Sequence, residues 1–164
     1  MRRRERGSQT VEMALCLLPF CGIVFLILSL SWAIFTKASL QHAVTEGVRY
    51  AITSRTMAGM GQDSSIKSVV QQSSMGLLKT SNLALVTIQY YAIDPATGSL
   101  TKTSQNLGGN IVEVSVEGYT ASPLLPILHW GVKGGTGSMN PAMYYTVRAS
   151  DRMEASPAGI PPQR

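Results

Sequence analysis

Charged residues and cysteines are scarce in this chain of 164 residues. Only 14% of its residues are Asp, Glu, Lys or Arg, whereas a soluble domain usually carries about a quarter. The two cysteines, Cys16 and Cys21, both lie in one apolar run. Five residues apart on a helix they point in different directions, so we expect no disulfide between them. The remainder of the chain must therefore be held together by packing alone.

The motifs that mark catalytic and metal sites are also missing. The two histidines, His42 and His129, lack the spacing of a metal-binding pair. The glycine-rich stretch Gly134–Gly137 is not followed by Lys and Ser or Thr, so it indicates a flexible loop and not a phosphate-binding loop. The sequence contains no nucleophile elbow and no paired-carboxylate motif. We therefore expect no enzyme activity, no metal and no cofactor.

The net charge of +5 does not predict nucleic-acid binding, because the excess of positive charge lies at one end. Four of the 14 basic residues occur within the first six positions, at Arg2, Arg3, Arg4 and Arg6. The rest of the chain is nearly balanced and has no stripe of basic residues interleaved with aromatic ones. We expect no nucleic-acid partner.

An uncharged run of 23 residues, from Met13 to Phe35, follows this basic segment. About 20 apolar residues suffice for a helix to cross a bilayer, and Trp32 near the far end suits the membrane interface. The positive-inside rule places the N-terminus in the cytoplasm and the C-terminal part outside, which predicts a single-pass protein. The alternative is the core helix of a soluble protein, but the remaining residues are too few and too polar to surround it.

Helical spacing of apolar residues continues beyond the run, at Leu40, Val44, Gly47 and Ala51. The simplest prediction is one helix from about Gln9 to Ser54, whose second half packs on a head domain. Gly47 lies on the packed stripe, where its missing side chain allows a close approach.

Downstream, the pattern predicts an α+β head with a second helix and a three-stranded antiparallel sheet. A Gly- and Ser-rich loop precedes a helix over residues 65–79, which Asp63 or Ser64 can cap. Alternating patterns predict strands near 84–93, 111–119 and 142–150, with a turn at Asp94–Gly98. The predicted organisation is then a basic leader (1–7), a transmembrane helix (8–36), an extracytoplasmic domain (37–150) and a disordered tail (151–164).

The start of the apolar helix contains a carboxylate, Glu12, that costs about 2.5–3.5 kcal/mol if it is carried to the bilayer centre. In one interpretation Glu12 lies in the headgroup layer or faces the helix dipole. In the other, the basic leader, Gly7, the polar segment and Glu12 resemble a class III signal sequence, cleaved by prepilin peptidase between Gly7 and Ser8. Glu12 would then pair with the free α-amino group of a neighbouring subunit.

A second residue with two interpretations is Pro19, inside the apolar run. An interior proline removes one helix hydrogen bond, which a transmembrane helix tolerates with local adjustment. The alternative is a hinge that lets the helix move from the membrane into a filament core.

Three stretches of the chain fit one set of sequence patterns. The first pattern runs roughly G-x-x-x-V-E-F-A-L-x-L-P and is matched by Gly7, Val11, Glu12, Ala14, Leu15 and, one position later than the pattern's proline, Pro19. The second, A-x-x-E-G-x-R-Y-A, is matched by Ala43, Glu46, Gly47, Arg49, Tyr50 and Ala51, and a later P-L-x-P step is matched by Pro123, Leu124 and Pro126. In these stretches the chain resembles TadE-like proteins of the tight-adherence, or Flp, pilus system. One departure matters, since Met13 stands where the family usually has Phe or Tyr.

The resemblance implies a minor pilin or pseudopilin in the bacterial inner membrane, with processing after Gly7. It implies recognition or assembly roles for Glu12 and Met13 and packing roles for Glu46, Gly47, Arg49 and Tyr50. The implied partners are other pilin-like subunits, the pilus assembly platform, prepilin peptidase and membrane lipid.

Two other functions remain open from the residues alone. The apolar run could be a secretory signal peptide that frees a soluble domain, although it is long for one and contains Glu12 and Pro19. It could also anchor an extracytoplasmic binding domain that is unrelated to pili.

Overall fold

The computed structural model describes residues 5–121, 143–156 and 161–164, and for residues 5–8 only the backbone. These residues fall into two units, one built on the first helix up to Phe35 and one, the head, comprising Thr36–Thr120 and Tyr144–Arg164. The elements in chain order are α1 (Glu5–Ile52), α2 (Gln62–Ser73), a 3-10 helix (Thr80–Leu85), β1 (Val86–Ile93), β2 (Leu100–Thr103), β3 (Ile111–Ala121) and β4 (Met143–Arg152).

The first unit is dominated by the apolar part of α1. Large apolar side chains from Val11 to Phe35 are exposed all round the helix, a distribution that water does not favour but lipid does. Among the described residues, α1 is the one helix long and apolar enough to cross a membrane, and only 6% of its most apolar window is buried. This long apolar helix suggests a single-pass membrane anchor.

Within the head, α1 changes to a one-sided pattern. Leu40, Ala43, Val44, Val48 and Ala51 are buried, and they recur at intervals of three or four residues, as one face of an α-helix requires. The predicted long helix is thus confirmed, with bounds of Glu5 and Ile52 in place of Gln9 and Ser54.

The second helix is confirmed, but both of its ends differ from the prediction. Its N-cap is Gly61, without a side-chain capping bond, so the predicted capping by Asp63 or Ser64 is wrong. Instead, the Ser65 hydroxyl donates to the Gly61 carbonyl (2.8 Å) and accepts from the Met57 amide (2.9 Å). At the other end Met75 and Gly76 both have positive φ, which ends the helix before residue 79.

Within the described residues the sheet has four strands in the order β2-β1-β3-β4, and not the predicted three. Strand β1 runs antiparallel to β3, with Val86 opposite Val116 and Tyr90 opposite Val112. The valines of β3 at 112, 114 and 116 are all buried, as their alternation with polar residues predicted.

The additional strand, β2, is formed by a hairpin that Asp94 organises. Its carboxylate accepts hydrogen bonds from the Ala96 amide (2.9 Å) and the Thr97 hydroxyl (2.6 Å), and Gly98 has a φ of +68°. The hydrogen bond from the Thr97 hydroxyl lowers the pKa of the Asp94 carboxylate, and the hydrogen bond from the Ala96 amide lowers it to a smaller extent. This predicted turn brings Leu100 opposite Ile93. Strand β2 has no regular alternation of apolar and polar residues, and it is defined by its antiparallel pairing with β1.

The segment predicted as a disordered tail is ordered wherever the structure describes it. Strand β4 continues to Arg152. Met153 is buried, and its amide donates to the Asn110 carbonyl (2.8 Å). Residues 162–164 are hydrogen-bonded to other parts of the head, at Asn106, Gln62 and Ser104. In isolation, the prolines and polar residues of this segment indicate disorder. In the structure they take part in hydrogen bonds, with backbone carbonyls as acceptors and a guanidinium group as the donor. The Pro123–Leu128 step, His129 and the Gly134–Gly137 stretch lie outside the described residues.

Candidate functional segments of the first helix

The predicted processing site lies in the described part of α1. That part begins at Glu5, so Gly7 and Ser8 have helical backbone. Glycine is a poor helix former, so Gly7 weakens the helix beside the bond between Gly7 and Ser8.

Glu12 follows one turn later, and the structure places its side chain on an exposed surface. Met13 beside it is 72% exposed. A carboxylate at this position is available to a charged group on another molecule, and the neighbouring apolar side chains are available to lipid or to another helix.

Pro19 lies inside α1, which remains helical on both sides of it. Proline has no amide hydrogen, so the carbonyl of Leu15 lacks its usual helical donor. Glu12 and Pro19 are seven residues apart, which places them on one face of the helix and about 10 Å apart along its axis. The carboxylate that precedes the apolar run and the proline within the run thus share a face, with the free cysteine Cys16 between them.

The second part of the sequence pattern lies in the head half of α1. Arg49 donates to the Glu46 carboxylate at 3.1 Å, one helical turn away. The Arg49 side chain is 71% exposed and the Glu46 side chain 34%, so water screens this ion pair and it contributes little to stability. Tyr50 is half-buried, and its carbonyl accepts from the Thr53 hydroxyl (2.9 Å) near the end of the helix.

Gly47 has the tightest surroundings of the predicted residues. A Cβ atom placed there would collide with the Val70 side chain of α2 and would contact Ile66 at 3.7 Å and Val114 of β3 at 3.8 Å. Gly47 is therefore where α1 approaches both α2 and β3, as the packed stripe predicted.

A polar cluster that the sequence did not reveal lies at the start of α2. The Tyr90 hydroxyl donates to Asp63 (2.8 Å), and Arg164 donates to the other oxygen of the same carboxylate (2.9 Å). Burial and the hydrogen bond to Asp63 raise the pKa of Tyr90 well above its usual value. Fully buried Gln62 accepts a hydrogen bond from Asn106. Hydrophobic periodicity cannot reveal such a cluster, because its members are polar and distant in sequence.

Comparison with known proteins gives one match. The family described as TadE-like protein matches residues 7–49. No curated protein and no solved structure matches the chain. The matched range begins at Gly7, contains Glu12 and Pro19, and continues through Gly47 to Arg49, so it covers most of the α1 residues on which the resemblance was based. The chain is thus TadE-like over residues 7–49, the greater part of its first helix.

Proposed function

We propose that this protein is a minor pilin or pseudopilin that supports the assembly or function of a tight-adherence (Flp, type IV-like) pilus. The observation that carries the proposal is the TadE-like match over residues 7–49. One continuous helix presents both parts of the matched pattern, the leader boundary at Gly7 and the packed glycine at Gly47.

The exposed part of α1 supports this function. Its apolar side chains from Val11 to Phe35 cover every side of the helix. Such a surface is stable in lipid and equally stable among the apolar helices of a bundle. The same segment can therefore lie in the membrane before pilus assembly and pack against other subunits after it.

The proposed topology puts the N-terminus in the cytoplasm and the head outside the inner membrane, because the arginine cluster precedes the apolar segment. The proposed partners are prepilin peptidase, other pilin-like subunits, the assembly platform and membrane lipid. We propose no enzyme activity and no cofactor. A reporter that is active only outside the cytoplasm, fused after Arg164, should be active, and a reporter active only inside should not.

The processing step is cleavage between Gly7 and Ser8. A basic leader keeps this bond on the cytoplasmic side, and glycine leaves room for a narrow peptidase site. Mass spectrometry of the membrane-extracted protein should find a chain that begins at Ser8. Gly7→Val should block cleavage by its bulk, whereas Gly7→Ala should only slow it. A chain that retains Arg2 in cells that contain the peptidase would contradict the proposal.

Glu12 has a separate role in docking to a neighbouring subunit. Cleavage creates an α-amino group, and a pair between that group and Glu12 would neutralise two charges among apolar helices. Glu12→Ala and Glu12→Gln should both insert into the membrane and be cleaved, yet fail to support pilus assembly.

The matched control for the Glu12 variants is Glu113→Gln, which removes a carboxylate from β3 of the head. It should leave pilus assembly intact. Normal assembly with both Glu12 variants would show that the carboxylate is only an interfacial residue.

A further inference from the structure

Residues 162–164, here called the latch segment, lie against another part of the head that contains several buried polar groups. This surface, the latch site, is formed by the start of α2, by β1 and by the segment that follows β2. Its members are Gly61, Gln62, Asp63, Tyr90, Ser104 and Asn106.

Two buried groups of the latch site bind the backbone of the segment. The backbone amide of Gln62 donates to the backbone carbonyl of Gln163 (2.6 Å). The side-chain amide of Asn106 donates to the backbone carbonyl of Pro162 (2.8 Å). Gln62 is fully buried and Asn106 nearly so. The Gln62 side chain also donates to the Ala51 carbonyl (3.3 Å) and accepts from Asn106. These bonds hold the Asn106 donor in position for a carbonyl.

All three guanidinium nitrogens of Arg164 donate hydrogen bonds to the latch site. Two of its nitrogens donate to Asp63 (3.1 and 2.9 Å), and the third donates to the Ser104 carbonyl (2.6 Å). The guanidinium also lies over the Tyr90 ring, 4.7 Å from its centre. Lysine has one charged nitrogen and cannot reproduce this planar arrangement.

The backbone of the site is shaped for this close contact. A Cβ atom at Gly61 would lie 2.6 Å from the carbonyl carbon of Arg164 and 3.3 Å from the Gln163 oxygen. Only glycine therefore allows the segment to lie this near to the start of α2.

We propose that the latch site is a recognition site for an extended peptide that has two free backbone carbonyls followed by an arginine, and that residues 162–164 of this chain are its intramolecular ligand. The carbonyl contacts do not depend on the side chains of the ligand and supply affinity. The arginine contacts supply specificity. A bound partner segment of the same chemistry would have to displace the latch segment first.

The test uses the full-length chain in detergent and a dye-labelled peptide with the sequence of residues 161–164. The tethered segment competes at an effective concentration of about millimolar, so the peptide should bind wild type weakly. Arg164→Ala releases the tethered arginine and should bind the peptide at least about tenfold more tightly. A peptide with alanine or lysine in place of its arginine should bind at least about tenfold less tightly.

The matched control combines Arg164→Ala with Asp63→Asn, which opens the site but removes its carboxylate. Peptide binding should be lost. Equal binding with and without the Asp63 carboxylate, or no binding to Arg164→Ala, would overturn the proposal. Retained near-ultraviolet circular dichroism shows that each variant is folded.

Amide hydrogen exchange gives a second readout that needs no added peptide. The Gln62 amide should exchange about tenfold faster in Arg164→Ala than in wild type, because the acceptor at Gln163 is released. The amide of Val70, in the same helix, should be unchanged. Unchanged protection of Gln62 would show that the arginine does not hold the segment, and would refute the proposal.

Discussion

The two halves of α1 have similar apolar residues but opposite surroundings. Between Val11 and Phe35 large apolar side chains are exposed on every side, whereas between Leu40 and Ala51 they are buried on one face. The first half contains 23 consecutive uncharged residues, and the second contains Glu46 and Arg49. The first half of the helix is therefore suited to lipid and the second half to packing in the head. The same kind of substitution should change the stability of the head differently in each half.

The largest contrast is expected for leucine to alanine. Leu40 is fully buried in the head, so Leu40→Ala should lower the free energy of unfolding of the head by about 2–5 kcal/mol. Leu26 is 61% exposed, and Leu26→Ala should leave that free energy unchanged. Urea unfolding of the head in detergent, followed by tyrosine fluorescence, measures both. A similar loss in both variants would show that the two halves do not differ in this way.

Glycine to alanine is the second contrast. Gly47→Ala should destabilise the head by about 1–3 kcal/mol, because the new methyl group collides with Val70. Gly22 has no atom within 4 Å of the position a Cβ would take. Gly22→Ala should therefore leave the head unaffected and strengthen the helix by about 0.5–1 kcal/mol. The same unfolding experiment applies, and a head that tolerates Gly47→Ala would contradict the close packing of α1 on α2.

Polar groups in the interior of the head should make its folding stability depend on pH. The exposed half of α1 should add no such dependence. Folding raises the pKa of Tyr90, so its neutral form is favoured in the folded state. Its contribution to stability is fully present below the usual tyrosine pKa of 10.0 and is lost as the pH rises above that value. Tyr90→Phe should therefore lose less stability than wild type between pH 9 and pH 11. It should also be about 1 kcal/mol less stable at pH 7.

The control for the alkaline transition is Tyr144→Phe, since Tyr144 is 74% exposed. It should retain the alkaline loss of stability that wild type shows. An alkaline transition that is unchanged in Tyr90→Phe would mean that other groups cause it.

The smallest effect is expected for the ion pair between Glu46 and Arg49 in the head half of α1. Glu46→Gln removes the ion pair with Arg49, and exposed pairs contribute at most about 1 kcal/mol. We expect a change below about 0.5 kcal/mol in the same urea experiment. A larger loss would mean that Glu46, whose side chain is 34% exposed, has a packing role beyond this ion pair.

The sequence correctly predicted the elements whose apolar residues recur at regular spacing or form a long uninterrupted run. The apolar run, the buried stripe at Leu40 and Val44 and the valines of β3 each follow a regular pattern. The prediction failed at features without such a pattern. Strand β2 arises from the hairpin at Asp94, and the N-cap residue of α2, Gly61, lies against the distant residue Arg164. The predicted cleavage site and the role of Glu12 stay predictions, because they concern other molecules.

By itself the sequence determined that the chain has one long apolar helix and an α+β head, and it indicated the TadE-like family. These properties follow from local composition and period, which need no knowledge of distant contacts. Only the tertiary structure decided that Gly47 meets Val70, that a fourth strand completes the sheet, and that Arg164 binds Asp63 and Tyr90. Each of these contacts is between residues that are distant in the sequence. Whether such residues come together depends on how the helices and strands pack against one another.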